Sequence, residues 1–163
     1  MHAFVSSGPS ADVRPKQHGV APRLIDWTGE RCVPWAPDIA VIYEHLHRYH
    51  WAAQLVSGKR VLDIGSGEGY GARILSEAGA AEVVGIDIDP SAIEHSVSNY
   101  ARPGLSFQTG GAADLTRFEK GSFDVVVCFE VIEHLAEHED MLAEVARVLR
   151  EDGLLILSTP DRA

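Results

Sequence analysis

Apolar positions along this chain change their period at regular intervals. Between Asp38 and Ser57, residues Ile39, Ile42, Tyr43, Leu46, Tyr49, Ala53 and Val56 recur at helical spacing, which predicts a helix over 38–57 capped by Asp38. Gly58 suits the left-handed residue that ends such a helix. From Arg60 onward, short apolar runs alternate with amphipathic segments. The pattern predicts strands at 60–64, 82–87, 105–108, 123–129 and 153–159, and helices at 70–78, 90–100 and 138–149. Runs such as VVVCF and LLILS are apolar on both faces, as expected of a parallel sheet covered on both sides. Right-handed crossovers then give an α/β, doubly wound parallel sheet.

Outside this alternation the pattern weakens. Residues 1–24 are rich in Ser, Gly, Pro and Ala without a sustained period and read as a mobile leader. Residues 25–57 read as an N-terminal lid, a loop with Trp27, Trp35 and the charged pair Glu30-Arg31 followed by the first helix. Residues 58–163 read as the core.

Composition narrows the class. With 163 residues, one domain with a substantial core is expected. No run of about eighteen apolar residues predicts a membrane span. No apolar segment behind basic residues marks the N-terminus for secretion. Cys32 and Cys128 are too few and too far apart for a disulfide framework or a zinc pattern, so a reduced, cytoplasmic protein is expected. Charge is uneven. Residues 1–60 hold seven Lys/Arg against five Asp/Glu, and residues 61–163 hold seven against nineteen. A net charge of −10 without a basic stripe repels polyphosphate, which disfavours a nucleic-acid partner.

Candidate chemistry concentrates at RVLDIGSGEGYG, residues 60–71. A short apolar strand with Asp63 near its end runs into Gly65, Gly67 and Gly69 at alternate positions, and a helical pattern follows. Strand, glycine turn and helix form the geometry in which backbone N–H groups face a ligand and a cofactor lies against bare backbone. The spacing is not that of the dinucleotide motif, whose third glycine would fall at Tyr70. The next strand ends on Asp87, about where a carboxylate that reads vicinal ribose hydroxyls should fall.

VLDIGSGEGYG followed by VVGIDIDP, with FDVVVCFEVIEHL and EVARVLREDGLLILSTP downstream, resembles the class I S-adenosylmethionine (SAM) dependent methyltransferases over roughly residues 27 to 160. The resemblance implies a Rossmann-like fold and SAM as cofactor, with S-adenosylhomocysteine as product. It implies that Gly65, Ser66, Gly67 and Gly69 carry the amino-acid end of the cofactor, and that Asp63 either fixes the turn or holds the ammonium through water. Asp87 would take the ribose, Ile88 the adenine face and the Ala112 backbone the ring edge. Arg31 and Tyr43 from the lid and first helix, and Glu130 after the fourth strand, complete the cofactor set. Gly111 stands where many members carry an aspartate for the adenine amino group; Asp114 either replaces it or, as we favour, caps a turn.

His134, with Glu133, is the candidate base for methyl transfer. Glu130, Glu133 and His134 also resemble the metal-binding segment of some O-methyltransferases, but Glu-His begins a helix in many members that use no metal, so no metal is assigned. A TGER segment before EHLHRY resembles a group associated with glycan biosynthesis. The expected substrate is therefore a small molecule or glycan methylated on O or N. The alternative is a SAM-binding module or fragment that needs a partner or further chain for activity. A dehydrogenase is disfavoured by the glycine spacing and by the lack of a catalytic Tyr-Lys pair. The family sheet has seven strands, and the pattern here supplies five. Without the last two, the run 154–157 would form an apolar edge, so a homodimer is expected.

Overall fold

A computed structural model describes residues 39–160, with side chains from Tyr43 onward. Five parallel strands, β1 (Arg60–Ile64), β2 (Glu82–Asp87), β3 (Leu105–Thr109), β4 (Phe123–Phe129) and β5 (Leu149–Ser158), lie in the order β3-β2-β1-β4-β5. The helices are α1 (Ile39–Ala53), α2 (Tyr70–Glu77), α3 (Pro90–Tyr100) and α4 (His138–Val148), and Ile132–His134 form a single 3-10 turn. The doubly wound parallel sheet read from the sequence is present.

Alternation along the central strands separates two apolar layers. Val61, Val83 and Val125 face one side with Tyr49, Leu75 and Phe107. Leu62, Val84 and Val126 face the other with Phe123, Met141 and Val145. Helices thus cover both faces of β1, and its residues 61–64 are fully buried. At the amino end of the sheet, Arg60 ties three elements together. Its side chain pairs with Glu82 at 2.6 Å and donates to Ser122 O, while its amide donates to Asp124 at 2.7 Å.

Two boundaries differ from the sequence pattern by more than one residue. Helix α1 stops at Ala53 rather than Ser57. Gln54 and Leu55 donate three residues back, which tightens the last turn, and Val56 drops fully buried into the core. Gly58, at φ 70°, belongs to the turn into β1, where its amide donates to Gly79 O at 2.8 Å. Strand β5 starts at Leu149, four residues early. An irregularity opposite Phe123–Val125 absorbs the polar stretch before Leu154 regains register with Val125. On β5, Leu154 and Leu157 remain 42 % and 36 % exposed. Among the described residues, no helix is long and apolar enough to cross a membrane.

Candidate functional site

A cleft of about 400 Å³ opens beyond the carboxyl ends of β1, β2 and β4. This is where the strand order reverses and neighbouring loops diverge, so a crevice is left between them. One wall comes from the glycine turn (Gly65, Ser66, Gly67), the end of β2 (Asp87, Ile88) and Gly110 and Ala112 after β3. The other comes from His45 and Tyr49 of α1, Tyr70, and the segment after β4 that carries Phe129, Glu130, Val131, His134 and Leu135.

The glycine turn is shaped by two constraints. Gly65, Gly67 and Gly69 adopt φ values of 73°, 51° and 88°, in the left-handed region that side chains disfavour. A Cβ on Gly65 would also sit 2.3 Å from Val131 Cγ2. Three amides of the turn have partners within the protein. Gly65 and Ser66 donate to Ile86 O at 2.8 and 2.9 Å, and Gly67 donates to Asp87 Oδ2 at 2.8 Å. Gly65, Ser66 and Gly67 thus donate to β2, while the turn also offers bare backbone and a side-chain donor. Ser66 is 3 % exposed, and its hydroxyl has no hydrogen-bond partner among the described residues. Gly69 starts α2 and does not line the cleft.

Asp87 is held at both oxygens. Oδ2 accepts from Gly67 and Oδ1 from the Asp89 amide at 2.9 Å. A carboxylate oxygen has further acceptor capacity, so this one is oriented without being saturated. Ile88 beside it is 79 % exposed, an apolar side chain presented to the opening. Asp114 accepts from the amide and hydroxyl of Thr116, which makes it a turn cap. Glu68 of the glycine turn is buried with a carboxylate oxygen 3.9 Å from His95 Nε2 of α3.

Asp63 does not line the cleft. It is fully buried, and the Tyr49 hydroxyl donates to its two oxygens at 3.1 and 3.3 Å. Burial pushes its carboxyl up to about 8; the Tyr49 hydrogen bond pulls against that, and the Asp87 charge adds to it. Burial likewise raises the Tyr49 phenol, so it stays a donor. Its ring packs edge-on against Tyr70 and Phe129 at 5.7 and 5.0 Å and fills the hollow left by Gly71, where a Cβ would lie 2.1 Å from Tyr49 Cζ.

Around the other wall, Glu130 occupies a left-handed φ of 56°, uncommon for a side-chain-bearing residue. Its carboxylate accepts from the Ser158 hydroxyl at 2.7 Å and lies 3.5 Å from Arg48 of α1. This links α1, β4 and β5. Burial lowers the His45 imidazole, and Arg48 adds to this against the opposing pull of Glu130, Glu44 and Glu133. His45 is thus neutral at ordinary pH.

The sequence-based site is only partly assembled. Gly65, Ser66, Gly67, Asp87, Ile88, Ala112, Glu130 and His134 meet at the cleft. Tyr43 is 69 % exposed and lines no part of it. Glu133 does not line it either, and one of its oxygens is buried without a partner among the described residues. Arg31 and the loop with Trp27 lie outside the described residues, as does Asp38 as a cap. Among the described residues, no three His, Cys, Asp or Glu side chains are gathered to hold a metal. The pattern missed His45, Tyr49, Tyr70 and Gly110. Tyr49 did carry a signal, since a buried tyrosine needs a partner for its hydroxyl and Asp63 is a polar residue within an apolar strand.

Comparison with known proteins bears on this geometry. The family described as a methyltransferase domain matches residues 62–157. A probable S-adenosylmethionine-dependent methyltransferase of Mycobacterium tuberculosis is 36% identical over 99% of this chain and 59% of its own length. The phthiotriol/phenolphthiotriol dimycocerosates methyltransferase of Mycobacterium leprae is 37% identical over 81% of this chain and 51% of its own. Among solved structures, the YcgJ protein of Bacillus subtilis superposes with a TM-score of 0.63 at 32% identity, over 69% of this chain and 50% of that one. The chain thus spans between half and three-fifths of the length of these proteins.

Proposed function

This chain belongs to the methyltransferase-domain family, and from that premise we propose that it binds SAM in the cleft and transfers a methyl group to an oxygen or nitrogen of a small molecule or glycan. The observation that carries the cofactor is the pairing of an oriented acceptor with an unsatisfied donor. Asp87 is fixed through the Gly67 and Asp89 amides, and the Ser66 hydroxyl is buried on the same wall without a partner. A carboxylate so held matches two neighbouring ribose hydroxyls, and Ser66 gains its missing bond from a polar ligand. Ile88 offers an apolar surface for a flat base, and the glycine turn lets the ligand approach bare backbone.

The bound cofactor supplies an electrophilic methyl on a sulfonium. The protein's own task is to position the acceptor and, where the attacking atom carries a proton, to receive it. His134 lines the cleft after β4 and is the proposed base; Glu130, tied to Ser158 and Arg48, shapes the wall beside it. Glu133, away from the cleft, is left the lesser role of setting the 3-10 turn that carries His134.

Calorimetry tests the reading. S-adenosylhomocysteine should bind in preference to NAD⁺, and Asp87→Ala should weaken it by about 1.5–3 kcal/mol, the scale of hydrogen bonds to a charged group. Tight NAD⁺ binding without S-adenosylhomocysteine binding would end it.

A further inference from the structure

Asp63 stands in a chemically unusual place. It lies two residues before Gly65, with no exposed surface, at the base of the turn that forms one wall of the cleft. Its hydrogen-bond partner, Tyr49, belongs to the opposite wall. Tyr49 thus reaches from cleft to carboxyl, with its ring lining the one and its hydroxyl on the other. Among the described residues, the groups that face Asp63 offer no compensating positive charge. From α1 comes Tyr49, with Tyr70 of α2 beside that ring; from the end of β2 comes Asp87, an anion; from β4 comes Cys128, whose buried thiol is pushed up to about 12 and stays neutral. Among the described residues, no Lys, Arg or His pairs with Asp63. A fully desolvated carboxyl beside another carboxylate keeps its proton at neutral pH unless a cation arrives.

We propose that cofactor binding is coupled to loss of a proton from Asp63, driven by the cofactor's ammonium settling in the cleft, with Tyr49 as the positioning residue that steadies the resulting carboxylate. The O–H bond of the carboxylic acid breaks, its proton passes to solvent, and the Tyr49 hydroxyl keeps donating to the anion. No other bond changes. This inference rests on the cofactor reading above and adds that the site is charged by its ligand. A proton released on binding makes affinity rise with pH. The rise is at most about tenfold per pH unit while free Asp63 is protonated and bound Asp63 is not, and it levels off above the free group's titration near 8.

The experiment is calorimetry of S-adenosylhomocysteine binding at pH 7 in phosphate and in Tris, whose ionisation heats differ. We expect a buffer-dependent heat equivalent to most of one proton released per site. 5′-Methylthioadenosine, the same thioether nucleoside without the charged end, should bind without release. Asp63→Asn should abolish the release. Tyr49→Phe removes the bond that favours the anion, so it should move the levelling-off of affinity to higher pH, which loss of packing alone would not do. That shift still decides the matter if the asparagine variant fails to fold. S-Adenosylhomocysteine binding with equal heats in both buffers overturns the coupling and leaves the cofactor reading standing; no binding at all overturns both. Equal release with 5′-methylthioadenosine, or unchanged release in Asp63→Asn, assigns the proton to another group and also overturns the proposal.

Discussion

On one side of the cleft, Gly65, Ser66 and Gly67 follow one another in the chain and are held by bonds to Ile86 and Asp87 on the adjacent strand. On the other side, Tyr49 comes from a helix that ends before the sheet begins. It is held by a carboxyl fourteen residues on and by aromatic rings of α2 and β4. The first wall owes its shape to backbone conformations that only certain residue types adopt easily. The second owes its shape to side-chain volumes that fit. A backbone-built wall announces itself in the sequence and tolerates little change of residue type. A packed wall leaves only a faint trace in the sequence but is sensitive to volume and protonation.

The sharpest way to break this contrast is Gly71→Ala. The added Cβ would lie 2.1 Å from Tyr49 Cζ, so the buried ring or the helix must shift. Overpacking of a buried site predicts a loss of about 3 kcal/mol in urea unfolding. Combined with Tyr49→Leu, the loss should be less than the sum of the two single changes, since they share one space. Full additivity would show that the wall is not packed as described.

A change of pH separates protonation from packing. The folded Asp63 carboxyl titrates near 8, against about 3.9 in an unfolded chain, so between those values the folded state holds the extra proton. The stability this supplies is complete below the lower value and is lost as pH rises through the upper one. Unfolding free energy of the ligand-free chain should therefore fall between pH 5 and 8 by at most about 1.4 kcal/mol per pH unit, a slope that Asp63→Asn should flatten. The same slope in wild type and variant would remove Asp63 as its source.

The smallest effect is expected outside both walls. Tyr43 shares a helix with Tyr49 but points to solvent, so Tyr43→Ala should change stability by less than about 0.5 kcal/mol. It should also leave S-adenosylhomocysteine affinity unchanged by calorimetry. A tenfold loss of affinity would restore the cofactor role that the family resemblance implied for Tyr43.

The order of strands and helices and the glycine turn were legible because each depends on neighbours close in sequence. Continuous apolar runs mark buried parallel strands, and alternate glycines mark a turn that a side chain would strain. Pro90 at the start of α3 and Asp89 capping it are likewise local, and that helix begins and ends where the pattern placed it. Periodicity could not say which of the tyrosines on α1 turns inward. Tyr43 and Tyr49 both lie in the apolar series, and only docking against Gly71 buries one and leaves the other in water. Nor could it show that the amides of Gly65, Ser66 and Gly67 donate to β2, because that bonding needs the strands side by side.

By itself, then, the sequence determined the alternation of elements, the parallel sheet and the position of the turn that faces the cleft. All of these follow from side-chain period and from the backbone freedom of glycine. Tertiary structure alone decided that Asp63 is a buried acid rather than a contact at the surface of the site, that Tyr49 reaches across to it, and that the Ser66 hydroxyl is buried without a partner among the described residues. The reason is physical. Desolvation and hydrogen-bond satisfaction belong to an environment assembled from distant segments, and no residue carries its environment in its own letter.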